Sequence, residues 1–201
     1  PAVAAWSAMP AMTARRGAVA ALAGGRIYVA GGTTNGFTSL GVNEEFDPTT
    51  NAWGGAKAAM TTARDRLSAV AAGGVIYAFG GETDASSTNV NEMYDPAANT
   101  WTNKAAYPTP RRQISAASAS GPTAQTIVAA GGNGAVASTY KYDSVLNNWT
   151  AVTSMPSGLS AGAAASLGGK IYVIGGAAAL SSVYEYDPAV NLWMTRASML
   201  T

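Results

Sequence analysis

The sequence predicts an all-β fold made of four similar units, because three kinds of residue marker recur together along its 201 residues. Pairs of glycines recur at intervals of 49, 51 and 44 residues, whereas an aromatic residue and a later tryptophan each recur at intervals of 48, 48 and 44. Regular periods of this size are the signature of repeated supersecondary units. The markers are Gly31, Gly32, Gly80, Gly81, Gly131, Gly132, Gly175, Gly176, Phe46, Tyr94, Tyr142, Tyr186, Trp53, Trp101, Trp149 and Trp193.

Each repeat contains four short segments with the composition of β-strands, which is what one blade of a β-propeller requires. The first segment consists of small apolar residues, which suit a crowded innermost strand, and lies at 17–23, 67–72, 114–120 and 161–167. The second is rich in β-branched and aromatic residues, ends on the glycine pair, and lies at 26–30, 75–79, 126–130 and 170–174. The third carries the recurrent aromatic residue, and the fourth carries the tryptophan.

A turn is predicted between the third and fourth segments of each repeat. It begins at an aspartate, usually followed by proline, and both residue types favour turns. Four residues later comes an asparagine, which tolerates the left-handed backbone conformation. The asparagines are Asn51, Asn99, Asn147 and Asn191.

The glycine pairs are expected to leave room for an aromatic ring of the same or an adjacent blade. Two strand glycines cost about 1–2 kcal/mol, whereas burying a tyrosine or tryptophan ring is worth several kcal/mol. We therefore expect Gly80→Val to unfold the domain.

The order of glycine pair, aromatic residue, Asp-Pro and tryptophan resembles the kelch-repeat family over almost the whole chain. The third repeat departs from the pattern, with Val128 in place of a tyrosine, Ser144 in place of proline and extra residues at 120–125. The resemblance implies a propeller whose blades span residues 13–60, 61–108, 109–156 and 157–201. Kelch propellers usually have six or seven blades.

A fifth tryptophan, Trp6, lies 47 residues before Trp53 and resembles a fourth strand without the other three. Residues 1–12 are therefore predicted to form an extra outer strand, although the last blade already has Trp193. Two interpretations stay open. The chain is part of a six- or seven-bladed ring, or an edge strand joins a blade of another subunit in a homo-oligomer, because unpaired strand edges favour pairing.

Composition excludes several function classes. The net charge is +1, no lysine cluster indicates a nucleic-acid partner, and no apolar run approaches the roughly 20 residues of a membrane-spanning helix. Neither cysteine nor histidine is present, which excludes Ser/His/Asp and Cys/His catalysis and the common zinc, copper and haem sites. No metal or cofactor is predicted. Low charge and abundant small residues favour an extracellular or cell-surface bacterial protein, and no signal peptide is visible.

Arginines are concentrated in the connections between blades. Six of the eight lie in three of these connections, and successive blades would place them around one mouth of the central channel. Guanidinium groups bind carboxylates and phosphates in a bidentate manner, so this pattern predicts a site for an acidic ligand. Arg15, Arg64 and Arg111 have an equally good structural explanation, because they recur at a near-fixed distance before the second strand. The six residues are Arg15, Arg16, Arg64, Arg66, Arg111 and Arg112.

The long loops after the first two glycine pairs share the face of these arginines and are expected to shape specificity. Phe37 in the first loop is a candidate contact residue, since an exposed aromatic side chain often dominates binding. Glu82 and Asp84 in the second loop are a close acidic pair.

The leading hypothesis is a noncatalytic binding or assembly module that presents loops to a protein or an acidic small ligand. The resemblance implies this role, which kelch domains have in ubiquitin-ligase adaptors and actin-associated proteins. One alternative is a sugar-active kelch enzyme similar to sialic-acid mutarotases, using Arg15, Arg64, Arg111 and Glu82. Another is a structural subunit that self-assembles by strand exchange. Galactose-oxidase chemistry is excluded, since its copper site needs histidine and cysteine.

Overall fold

The computed structural model describes residues 8–120 and 125–200, and this part of the chain contains sixteen β-strands. Trp6 lies outside the described residues, and residues 8–12 form no strand. The strands are β1 (Val19–Ala23), β2 (Arg26–Ala30), β3 (Asn43–Asp47), β4 (Ala52–Trp53), β5 (Ser68–Ala72), β6 (Val75–Phe79), β7 (Asn91–Asp95), β8 (Thr100–Lys104), β9 (Ser115–Ser120), β10 (Gln125–Ala130), β11 (Thr139–Asp143), β12 (Asn148–Val152), β13 (Ala163–Leu167), β14 (Lys170–Ile174), β15 (Val183–Asp187) and β16 (Leu192–Arg196).

Each run of four consecutive strands forms one antiparallel sheet in chain order. The four sheets are the blades of a β-propeller, which confirms the predicted fold class. Within a blade, the marker aromatic residue of the third strand lies opposite the tryptophan of the fourth. Tyr94 and Trp101 are such a pair, with ring centroids 5.0 Å apart, and the equivalent pairs lie 5.2, 4.9 and 5.0 Å apart.

The innermost strands β1, β5, β9 and β13 contact one another in that order around a central channel. The channel is lined mostly by alanine and serine from residues 20–22, 69–71, 116–118 and 164–166. Small side chains allow these strands to approach closely, so the predicted innermost position is confirmed. In the described residues, no hydrogen bond or buried cluster joins the fourth blade to the first.

Neighbouring blades pack face to face, and the second strand of each blade supplies much of this core. Tyr28 packs on Tyr94 of the next blade, and Tyr77 packs on Tyr142 in the same way, with ring centroids 5.3 Å apart in both pairs. Val128 takes the tyrosine position in the third blade and is buried against the fourth. The buried clusters therefore contain residues of neighbouring blades.

A connector joins the outermost strand of one blade to the innermost strand of the next. Side chains of the later blade form hydrogen bonds with this connector. Trp101 Nε1 donates a hydrogen bond to Ala58 O at 2.8 Å, and Ala58 N donates to Asn99 Oδ1 at 2.9 Å. Asn99 Oδ1 also accepts from the Tyr94 hydroxyl at 2.8 Å. The left-handed conformation predicted for the asparagines is confirmed, with φ values of 51° to 54° at Asn51, Asn99, Asn147 and Asn191.

The glycine pairs do not make room for aromatic rings, and that expectation is wrong. Gly32 N donates to the carbonyl oxygen of Arg64 in the next connector at 2.9 Å, and a Cβ on Gly31 would lie 2.5 Å from this oxygen. Both glycines have positive φ, at 70° and 96°. The first three pairs therefore admit the main chain of the following connector, which a side chain would exclude. Among the described residues no helix is long and apolar enough to cross a membrane.

Candidate binding rim

One end of the propeller combines the connectors with the loops that follow the glycine pairs. We call the described residues 15–17, 33–39, 64–66, 82–88, 111–113 and 159–161 the rim. Isolated bridges pair Arg16 with Thr33 and Asp65 with Glu82, so each connector is attached to the loop of its own blade. The predicted sharing of one face by these segments is confirmed.

Main-chain hydrogen bonds link successive blades around the channel mouth. Arg66 N donates to Gly17 O at 2.7 Å, Gln113 N to Arg66 O at 2.9 Å, and Ala161 N to Gln113 O at 2.9 Å. These four residues occupy equivalent positions, and all have positive φ between 49° and 66°. These bonds form a continuous main-chain frame that carries the rim side chains.

Arg15 and Arg64 are built into the blades. Their side chains have no exposed surface, and each forms an ion pair with a carboxylate of its own blade, Glu44 and Glu92 respectively. Arg64 Nη1 also donates to main-chain oxygens at 2.8 and 2.9 Å. Burial acts to raise the pKa of Glu44, but hydrogen bonds from Thr13 and Arg15 hold it below its usual value. These guanidinium groups offer no surface to a ligand.

Arg111 occupies the position of Arg15 and Arg64 in the third blade but has no carboxylate partner in the described residues. Tyr140 occupies the position of Glu44 and Glu92, and Arg111 Nη1 donates to Asn133 O at 2.8 Å instead. In the fourth blade, both positions are apolar or aromatic, with Leu159 and Tyr184. The series changes from an ion pair to an apolar contact along the chain.

Arg66 and Arg112 lie in the rim and share one acidic partner. Arg66 Nη1 lies 2.7 Å from Glu82 Oε2, and Arg112 forms an ion pair with the other carboxylate oxygen. Glu82 therefore joins the second and third blades electrostatically. Arg16 differs from both, because its exposed guanidinium has no ion-pair or hydrogen-bond partner among the described residues.

The first long loop is ordered by its own side chains. Asn35 Oδ1 accepts hydrogen bonds from the main-chain nitrogens of residues 37 and 38, both at 2.9 Å, and Thr33 Oγ1 accepts one from Gly36 N at 2.9 Å. Phe37 at the tip is 85% exposed. The guanidinium of Arg16 lies across Gly36, where a Cβ would clash with it.

The second long loop is tied to the first. Asp84 Oδ1 accepts a hydrogen bond from Ser39 N at 2.6 Å, and Ser39 Oγ donates to Glu82 O at 3.3 Å. A polar cleft of about 160 Å³ lies between the two loops. Burial raises the pKa of Asp65 in its wall, although the charge of Arg66 opposes the shift. The cleft lining includes Phe37, Ser39, Asp65, Arg66, Glu82 and Asp84.

The side chains of the sequence candidates lie in different surroundings. Those of Arg16, Arg66, Arg112, Phe37, Glu82 and Asp84 reach the surface of the rim, whereas those of Arg15 and Arg64 are enclosed in the blades. Arg111 is partly buried and donates to Asn133 O. The mutarotase-like set of Arg15, Arg64, Arg111 and Glu82 is therefore not brought around one cavity. The sequence analysis did not single out Asp65 or Ser39, which both line the cleft. Asp65 could have been noticed because it lies between Arg64 and Arg66 in the sequence. Within the described ranges, no three potential metal ligands are grouped.

Four-stranded blades around a channel, with ordered loops at one end, define a propeller scaffold that is consistent with a binding module. The chain belongs to the kelch-repeat family: the model of the KLHDC2/KLHL20/DRC7 Kelch-repeats domain matches residues 4–176, and the Kelch motif model matches residues 159–200. Comparison with curated protein sequences gives no match. Kelch propellers generally mediate protein interactions.

Proposed function

We propose that this protein is a noncatalytic binding module whose rim holds a polypeptide segment carrying an acidic side chain next to an apolar one. The exposed Phe37 at the tip of an ordered loop is the observation that carries the proposal. A large aromatic side chain held in water by a preorganised loop loses little conformational entropy on binding. Aromatic residues of this kind are frequent hot spots of protein interfaces.

The charges around Phe37 favour an acidic group in the partner. Arg16 lies across the same loop and has no partner among the described residues, so its guanidinium is available without breaking an existing bond. Arg66 and Arg112 already share Glu82, which makes them weaker candidates. A carboxylate on Arg16 and an apolar group on Phe37 would lie on adjacent parts of the partner.

A displayed library of random peptides tests this proposal without a known partner. Peptides selected on the wild-type protein should be enriched in Asp or Glu beside an apolar residue. A selected synthetic peptide should bind Phe37→Ala and Arg16→Ala at least about tenfold more weakly, which corresponds to about 1.4 kcal/mol. Arg16→Lys should recover only part of the affinity, because lysine lacks the planar bidentate geometry.

The matched control is Leu146→Ala, which removes a side chain that is 70% exposed at the opposite end of a blade. It should leave peptide affinity unchanged. The proposal fails if the selected peptides lack acidic residues, or if they bind the two rim variants as tightly as the wild type.

A further inference from the structure

Glu82 holds its carboxylate between two guanidinium groups that come from different blades. Glu82 Oε2 accepts a hydrogen bond from Arg66 Nη1 at 2.7 Å, and the other carboxylate oxygen forms an ion pair with Arg112. The side chains of Arg66, Arg112 and Glu82 are 42%, 30% and 24% exposed, so a ligand can reach them. With its own side chain, the protein therefore displays how one carboxylate fits between these two arginines.

The fold does not require a carboxylate at this position. Glu82 follows the second glycine pair, and the residues that follow the other three pairs are Thr33, Asn133 and Ala177. Thr33 and Ala177 close the same isolated bridge to their connector as Glu82 does, and Asn133 N donates to Arg112 O at 2.9 Å. Neutral side chains therefore serve the main-chain bridge equally well, and the charge of Glu82 is explained by the arginines rather than by the blade.

The second and third blades do not depend on Glu82 to stay together at the rim. Gln113 N donates to Arg66 O at 2.9 Å, and Gly81 N donates to Arg111 O at 2.8 Å, so main-chain bonds already join the two blades. The junctions on either side have the same two kinds of bond without an ion pair between their rim residues, within the part of the chain that is described. The two ion pairs of Glu82 are therefore dispensable for the blade junction.

The main chain around Glu82 is fixed, whereas its carboxylate is free to leave the arginines. Glu82 N donates to Asp65 O at 2.8 Å, and Glu82 O accepts from Asp65 N at 2.9 Å and from Ser39 Oγ at 3.3 Å. The connectors that carry the two arginines are held by hydrogen bonds of their own main chain. Ion pairs between partly exposed side chains are weak, because water and salt screen them. A carboxylate of a partner can therefore replace that of Glu82 without refolding the rim.

We infer that Glu82 is an internal competitor for a second acidic group of the bound segment. The inference rests on the proposed function, and it assigns a second carboxylate subsite to Arg66 and Arg112 in addition to the one at Arg16. A partner carboxylate that enters this subsite displaces the Glu82 side chain and takes its two guanidinium contacts. Glu82 thereby lowers the affinity of the rim for acidic segments, and removal of its charge should raise that affinity.

Fluorescence polarisation with a labelled hexaglutamate peptide tests this inference, because the probe carries carboxylates and no apolar side chain. Glu82→Gln should bind the probe at least about fivefold more tightly than the wild type, since glutamine keeps the size of the side chain but not its charge. The variant should remain folded, because Asn133 is already an amide at the equivalent position. Adding Arg112→Ala to Glu82→Gln should abolish the gain, because one of the two released guanidinium groups is then missing.

Asp84→Asn is the matched control, because it removes the same charge from the same cleft, while the Asp84 carboxylate contacts no guanidinium among the described residues. It should bind the probe within about twofold of the wild type, which separates release of the arginines from a change in net charge. Equal tightening in both variants would overturn the inference, as would an unchanged or unmeasurable affinity of Glu82→Gln, or a gain that survives Arg112→Ala. The proposed function is judged by the selected peptides with Phe37→Ala and Arg16→Ala, so its failure is distinguished from failure of this inference.

Discussion

The buried Arg64–Glu92 pair allows a prediction whose magnitude follows from the structure. Both side chains are 0% exposed, and Arg64 Nη2 lies 2.7 Å from Glu92 Oε2. Arg64→Leu removes the cation but leaves a buried carboxylate whose remaining donors come from Thr61. An uncompensated buried charge costs about 3–5 kcal/mol. That is a large part of the roughly 5–15 kcal/mol by which a domain is stable.

The fourth blade shows how the loss can be offset, because it has Leu159 and Tyr184 at the two equivalent positions. The double variant Arg64→Leu/Glu92→Tyr copies this apolar pair and removes both charges. We expect it to lie within about 2 kcal/mol of the wild type, since replacing a buried ion pair by packed apolar groups is often close to neutral. The two substitutions should therefore couple by at least about 2 kcal/mol.

Urea unfolding followed by tryptophan fluorescence measures these free energies from the midpoint and slope of each transition. Arg111→Leu is the matched control, because Arg111 has no described carboxylate partner and its removal should cost only about 1–2 kcal/mol. The reasoning is refuted if Arg64→Leu costs no more than Arg111→Leu, or if the double variant is as unstable as the sum of its single changes.

Three further predictions concern the repeat itself. Gly80→Ala should cost at least about 2 kcal/mol more than Gly74→Ala in thermal unfolding, since both have positive φ but only a Cβ on Gly80 would clash with the next connector. Asn99→Gly should lower the free energy of unfolding by about 1–3 kcal/mol, because it removes two hydrogen bonds. Asn51→Gly should leave the free energy of unfolding nearly unchanged, and equal losses in the two variants would contradict the role of Asn99 in binding the connector. Hydrogen bonds from Arg196 and then Lys170 hold the pKa of Glu185 at about 2, so the stability from this carboxylate is present above about pH 4.5 and is lost as the pH falls toward 2. The difference in melting temperature between wild type and Glu185→Gln should shrink over that interval, and a constant difference would exclude the linkage.

The strands could be predicted from sequence because each repeat carries local signals that do not depend on distant contacts. Asp95 Oδ1 accepts a hydrogen bond from Ala97 N at 2.8 Å, so the turn forms from residues close in the chain. Asn99 is predictable for the same reason, because few other residues tolerate its φ of 53°. The second strand at 26–30 matches the observed β2 in both bounds.

The role of the glycine pairs could not be predicted, because their partner lies in another blade. The residues that approach Gly80 belong to the connector about thirty positions later, and the intervals between such contacts are set by loops of variable length. For the same reason Arg66 and Arg112, which look equivalent in sequence, are offset by one position. Arg66 aligns with Gly17, whereas Arg112 aligns with Arg16. The alignment of one blade with the next depends on tertiary contacts, so the sequence of a single repeat does not specify it.

The same register explains why the blade interfaces and the rim loops constrain the sequence differently. Blade interfaces are completed by main-chain hydrogen bonds at equivalent positions, so each interface constrains residues of both blades. The rim loops are not constrained in this way, because their hydrogen bonds close within and between the loops themselves and leave Phe37 and Arg16 exposed. Phe37→Ala should therefore weaken peptide binding without changing the midpoint of urea unfolding. Tyr77→Ala, which removes the ring packed on Tyr142 of the next blade, should instead lower that midpoint.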